Sequence, residues 1–230
     1  MPEPFDPRTA LEMAAELAAE LTQERGVADT LERIAAARDA ARDAPEAEAF
    51  ASLLGSLSWL AEHASESASR DEVTGLANRR GFDAALRHEV ERSYRTAQPV
   101  SALAVALDHF ERVTDAGVRD RALRQVAEVL RGCLRQVDTA ARVGTAAFRI
   151  LLPNAGLDGA REVAERCRCA IAALNLPDVG ALTATFGVAT HPDHAANSAG
   201  LAQAADAALA TGERRGRNCV AAALPLTDSE

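Results

Sequence analysis

Aromatic residues are scarce in this chain: 3% of 230 positions, against 48% hydrophobic residues overall. A core with so few rings must close through small, tightly packed side chains, and alanine and leucine carry it. Both are strong helix formers, so helices are expected to dominate. Cysteine is sparse too, with Cys133, Cys167, Cys169 and Cys219. The spacing fits neither a zinc knuckle nor a disulfide framework. It leaves reduced thiols on helices and a strand. No hydrophobic run approaches the length of a membrane span. The N-terminus, MPEPFDPRTALEMAAELAAE, has acidic residues where a secretory leader needs basic ones, and it lacks an apolar central stretch. A cytoplasmic protein without a membrane partner is expected. An excess of positive charge is also missing: the formal net charge is -9 and the pI about 5.1. Such a chain does not attract polyanions globally, which speaks against a nucleic acid polymer as partner. Local basic clusters can still hold a small phosphorylated ligand.

What is present divides near residue 70. Residues 1–70 read as three short amphipathic helices. Their apolar stripes include Leu11, Leu17 and Leu21, then Leu31 and Ile34, then Leu53, Leu57 and Leu60. Short helices bury little alone, so a bundle, a coiled coil or pairing with a second copy is expected, with a signalling or dimerisation role. No cofactor motif stands out there: His63 is isolated and Trp59 reads as core.

From Asp71 the composition changes. Turn chemistry leads into a helix from about Arg79 to Ala97, then an apolar strand, Val100 to Leu107. A polar connection, Asp108 to Asp120, precedes a helix with Leu123, Val126, Leu130 and Leu134 on its face. A hairpin turns at Gly144-Thr145. A helix over about 158–174, a strand over 181–190, a helix over about 199–211 and a last strand over 217–223 complete the order. This alternation predicts an α/β (α+β) domain over 71–230, with a mostly antiparallel sheet of about five strands.

Several separated motifs give this region a family resemblance. Asp71-Glu-Val-Thr-Gly-Leu-Ala-Asn-Arg-Arg-Gly-Phe82 is similar to the D-x-L-T-G-L-x-N-R-R-x-F opening of the GGDEF domain of diguanylate cyclases. Leu107-Asp-His-Phe110 resembles the end of that family's D-x-D-x-F strand, and Gly216-Arg-Asn218 its G-R-N closing motif. The resemblance implies a palm fold like that of nucleotide cyclases. It also implies a chemistry in which two GTP give cyclic di-GMP across a domain dimer, with metals held between carboxylates.

Carried over residue by residue, the resemblance implies a depleted catalytic site. The first Asp of D-x-D falls on Ala106 and the second on Asp108. The signature falls on Gly144, Thr145, Ala146, Ala147 and Phe148, so its metal-binding carboxylate is Ala146. The guanine-contacting Asn falls on Thr114 and the phosphate-binding Lys on Glu213. Asp108, Asp120 and Arg217 are what remains of the substrate site, and Asp108 shares a strand face with Ala106. Loss of the carboxylates predicts a non-enzyme with no metal and no cofactor.

A second motif is intact. Arg135-Gln-Val-Asp138 matches the family's R-x-x-D inhibitory site for cyclic di-GMP, and Arg166 of Ala164-Glu-Arg-Cys-Arg168 matches its supporting arginine. An arginine fork bonds guanine O6 and N7 together, and a carboxylate accepts from the guanine N1–H and amino group. Without the family match, Arg and Asp three apart at a helix exit read as a solvated ion pair worth under about 1 kcal/mol. With it, the expected function is an inactive GGDEF protein that binds cyclic di-GMP through Arg135, Asp138 and Arg166. It would act as a homodimer or relay the signal to a protein partner. The alternatives are an interaction scaffold that binds no ligand and a residual cyclase.

Overall fold

The structure is a computed structural model and describes residues 69–225. The helices expected in 1–68, with His63 and Trp59, lie outside the described residues. The elements are α1 (Arg79–Thr96), β1 (Val100–Leu107), a 3-10 turn (Phe110–Arg112), α2 (Ala116–Cys133), β2 (Thr139–Arg142), β3 (Ala147–Pro153), α3 (Leu157–Ala172), β4 (Ala184–His191), α4 (Ser198–Arg214) and β5 (Val220–Ala222). One sheet takes the order β2-β3-β1-β4-β5. All pairs are antiparallel except β4 with β5. From β1 to β4 this is a β-α-β-β-α-β unit, extended by α4 and β5.

Local chemistry sets the helix starts. Asn78 caps α1 by accepting from the Gly81 N–H at 3.0 Å. Asp115 and Asn197 cap α2 and α4 in the same way, each at 2.8 Å. The Asp115 cap begins α2 at Ala116, so the polar connection expected up to Asp120 is half helix. The last strand is also shorter than expected, because residues 216–218 are spent on a left-handed turn.

The central strands β1 and β4 are covered on both faces. That is why they read as apolar runs and not as alternations. Leu103, Val105 and Leu107 point to one side, with Phe148, Ile150, Phe186 and the inner faces of α2 and α3. Ala102 and Ala104 point to the other, with Leu151, Ala189 and buried residues of α1 and α4. Each fully buried Leu, Ile or Phe contributes about 1.5–3 kcal/mol. The alanine-rich second face lets α4 approach closely. A Cβ on Gly187 in β4 would stand 2.2 Å from the Ala205 carbonyl oxygen. Among the described residues no helix is long and apolar enough to cross a membrane.

Candidate functional site

The β2–β3 hairpin folds its tip over the end of β1. Ala106 pairs with Ala147, and the Leu107 N–H donates to the Ala146 carbonyl at 3.0 Å. The positions to which the resemblance assigns the two metal-binding carboxylates are thus brought together, and both are methyl groups. The turn is held by arginine. Arg142 donates from Nε to the Gly144 carbonyl at 3.1 Å and from Nη2 to the Thr145 carbonyl at 3.3 Å. Its Nη1 lies 3.1 Å from Oδ2 of Asp71 in the opening motif. Arg79 donates to the Val143 carbonyl at 2.8 Å. Burial raises the Asp71 carboxyl, but hydrogen bonds from Thr74 and the charge of Arg142 outweigh it, so it sits below the ordinary carboxylate value.

Asp108 follows β1 and is buried. One oxygen accepts from the Thr185 hydroxyl at 2.7 Å. The other accepts from the Thr183 hydroxyl at 2.7 Å and the Asn218 N–H at 3.0 Å. Both oxygens are therefore engaged by protein donors. From the sequence, Asp108 is the second Asp of D-x-D, a residual substrate-site position on one strand face with Ala106. Asn218 enters the sequence reading only through the closing motif and Thr183 and Thr185 do not enter it, although two threonines at i and i+2 where a buried strand begins are a signal for polar groups gathered at its edge.

The partner turn is unusual. Gly216, Arg217 and Asn218 take φ values of 117°, 67° and 46° in succession. Two non-glycine residues in the left-handed region are strained unless their surroundings hold them. Here Asp108 and Thr185 hold the Asn218 N–H, and Arg168 donates to the Asn218 side chain at 2.6 Å. The turn leaves the Arg217 side chain exposed. Asp120 lies in α2, half-buried, and among the described residues no hydrogen bond or ion pair joins it to Asp108 or Arg217. Glu213 is in the last turn of α4 and Thr114 is exposed ahead of the α2 cap.

The second cluster lies where α2 ends. Arg135 to Asp138 form a tight turn between α2 and β2. The Asp138 N–H donates to the Arg135 carbonyl at 3.1 Å, and the Asp138 carboxylate accepts from the Arg135 N–H at 2.8 Å. The solvated Arg–Asp ion pair is not formed; Asp138 bonds backbone instead. Among the described residues the Arg135 guanidinium has no hydrogen bond or ion pair, and it is exposed. Arg166 reaches from α3 to the Cys133 carbonyl at 2.7 Å.

Burial, the Cys133 thiol and the Asp138 carboxylate push the Cys167 thiol up to about 12 against the opposing charge of Arg166. Asp138 and Arg166 thus act on Cys167 with opposite sign. Two residues along α3, Arg168 points elsewhere, because successive helical positions turn by about 100°. It forms a fork with Glu165, which holds the Glu165 carboxyl below its ordinary value. One short motif thus serves both clusters.

Comparison with known proteins places this geometry. The family model described as "Diguanylate cyclase, GGDEF domain" matches residues 68–219. The diguanylate cyclase DgcP of Pseudomonas aeruginosa is 35% identical over 156 residues, 64% of this chain and 23% of that protein. DgcM of Escherichia coli is 32% identical over 167 residues, 71% of this chain and 40% of its own. The chain therefore spans less than half the length of these curated relatives. Among solved structures, the GGDEF domain of DgcB from Caulobacter crescentus, in complex with c-di-GMP, superposes with a TM-score of 0.63 at 26% identity, covering 67% of this chain and 93% of that one. The GGDEF domain of PA1120 from Pseudomonas aeruginosa gives 0.63 at 29%, covering 67% and 94%. The chain belongs to the GGDEF domain family.

Proposed function

We propose that this GGDEF domain is catalytically silent and acts as a cyclic di-GMP receptor. The dinucleotide is held by Arg135, Asp138 and Arg166, and the bound state is relayed to a second copy or a protein partner. One contrast carries the reading. At the hairpin, Ala106 and Ala147 stand opposite each other with Ala146 alongside. At the end of α2, an exposed arginine and a carboxylate share one turn, and an arginine of α3 reaches the Cys133 carbonyl just ahead of it.

The family's metals do not fit the residues present. Mg²⁺ in such sites is held by one or two carboxylates with substrate phosphates. The carboxylate at this end of β1, Asp108, has both oxygens bound by protein donors. Glu213 also puts negative charge where the resemblance places a phosphate-binding lysine. At the other cluster the exposed Arg135 fork suits the guanine Hoogsteen edge, and the solved DgcB complex with c-di-GMP supports a ligand of this class on this fold.

Calorimetry with cyclic di-GMP and with GTP, on protein freed of co-purified nucleotide, tests the proposal. Saturable binding of cyclic di-GMP is expected, weakened by about tenfold or more in Arg135→Ala, the equivalent of one lost hydrogen bond to a charged group. No dinucleotide is expected from GTP with Mg²⁺ or Mn²⁺. Absence of cyclic di-GMP binding would favour a scaffold role, and GTP turnover lost in Asp108→Ala would restore the enzyme.

A further inference from the structure

The four residues of the Arg135–Asp138 turn bury no apolar side chain. Leu134 packs against the core ahead of them, and β2 begins at Thr139 after them. Between these anchors Gln136 is exposed, and Val137 is 65% exposed. Packing therefore does not set the path of this segment, and hydrogen bonds must. The first is the ordinary turn bond, from the Asp138 N–H to the Arg135 carbonyl at 3.1 Å. The second runs the other way. Arg135 is the first residue past the cap of α2, and its N–H donates to Oδ2 of Asp138 at 2.8 Å. Just ahead of the turn, Arg166 holds the Cys133 carbonyl at 2.7 Å. Among the described residues, neither Oδ1 of Asp138 nor the Arg135 guanidinium makes a hydrogen bond.

We propose that Asp138 divides its carboxylate between two tasks. Oδ2 closes the turn and so positions Arg135, and Oδ1 is left to accept from the dinucleotide. Asp138 is then a positioning residue as well as a contact, and the turn is built before the ligand arrives. The inference rests on the ligand reading above and adds to it how the Arg135 fork is presented.

A guanidinium fork bonds two acceptors only when its plane and reach are set, and both follow from the backbone that carries it. An exposed turn without the side-chain bond samples several backbone conformations, and ordering it then weakens binding. With the Asp138 bond in place, that ordering is complete in the folded protein. Asparagine can take over one task but not both. Its carbonyl oxygen accepts from the Arg135 N–H as Oδ2 does. Its amide then presents hydrogens to the guanine N1–H and amino group, which are themselves donors. Alanine performs neither task.

The test compares the full chain with its Asp138→Asn and Asp138→Ala variants. Amide hydrogen exchange at Arg135 is followed by NMR without ligand, and affinity is measured by calorimetry with cyclic di-GMP. The Arg135 N–H should exchange at a similar slow rate in wild type and Asp138→Asn, and about fivefold or more faster in Asp138→Ala. Affinity should fall by about tenfold or more in Asp138→Asn, through the lost contact, and by about a further fivefold in Asp138→Ala, through the lost turn. Equal Arg135 exchange in wild type and Asp138→Ala overturns the inference. So does an affinity of Asp138→Asn equal to that of wild type or to that of Asp138→Ala. If wild type binds no cyclic di-GMP, the ligand reading and the Oδ1 task fall together, and the exchange rates still decide whether Oδ2 sets the turn.

Discussion

Replacing Asp108 by alanine distinguishes a structural carboxylate from a dormant metal ligand. Its oxygens accept three hydrogen bonds, from Thr183, Thr185 and the Asn218 N–H. Each bond to a charged acceptor contributes about 1.5–3 kcal/mol, and taking the buried carboxylate out of water removes several kcal/mol of the total. The Thr185 hydroxyl also stays with the Asn218 N–H at 3.0 Å, which softens the loss. A net destabilisation of about 3 kcal/mol remains. For a chain of this size that is a fall in Tm of roughly 6–12 °C. Thermal unfolding of the full chain at neutral pH, followed by circular dichroism, measures it. Asp108→Asn keeps one acceptor but points an amide donor at other donors, so it should fall between. Asp120→Ala is the control, with a change under about 0.5 kcal/mol. A Tm for Asp108→Ala within about 2 °C of wild type, or above it, would refute the reasoning. Carboxylates kept for catalysis commonly destabilise a fold, and their removal raises stability.

Further outcomes follow from contacts described above. The Asp71 carboxyl is held below its ordinary value, so its contribution to stability is complete above about pH 4 and disappears as pH falls through the lower folded value. Asp71→Asn should be less stable than wild type at pH 7, with the gap narrowing below about pH 4; an acid titration of denaturant midpoints showing a constant gap contradicts this. Gly187→Ala should cost about 3 kcal/mol or prevent folding, since the new methyl meets helix backbone and not a movable side chain; a denaturant midpoint equal to wild type would show that α4 can shift freely.

The element order could be read from the residues because its signals are local. Alanine and leucine periodicity, the apolar runs of β1 and β4, and the Gly144-Thr145 turn each act within a few positions. The start of α2 was misplaced because the Thr114-Asp115 stretch has the composition of a loop, and only the Asp115 cap shows it to be a helix entrance. Arg135, Asp138 and Arg166 are picked out by motif spacing; Arg135 and Asp138 share one turn, and Arg166 reaches the Cys133 carbonyl beside it. Their partners were not legible. Asp108 meets residues 75 to 110 positions away in the chain. Arg142 bonds Asp71 across 71 positions. Hydrophobic pattern carries no information on which polar group meets which across such separations.

The arginine brace on the hairpin has a practical consequence. The turn carbonyls of Val143, Gly144 and Thr145 all accept from Arg79 or Arg142, so the backbone keeps its course whatever side chains the tip carries. Gly144 and Thr145 are exposed there. The tip is therefore a permissive attachment point. A fluorophore, an affinity handle or a short grafted peptide placed at Thr145 adds bulk to solvent and leaves the sheet register alone. Because the brace lies at the opposite end of β2 from Asp138, such a label would leave the end of α2 untouched.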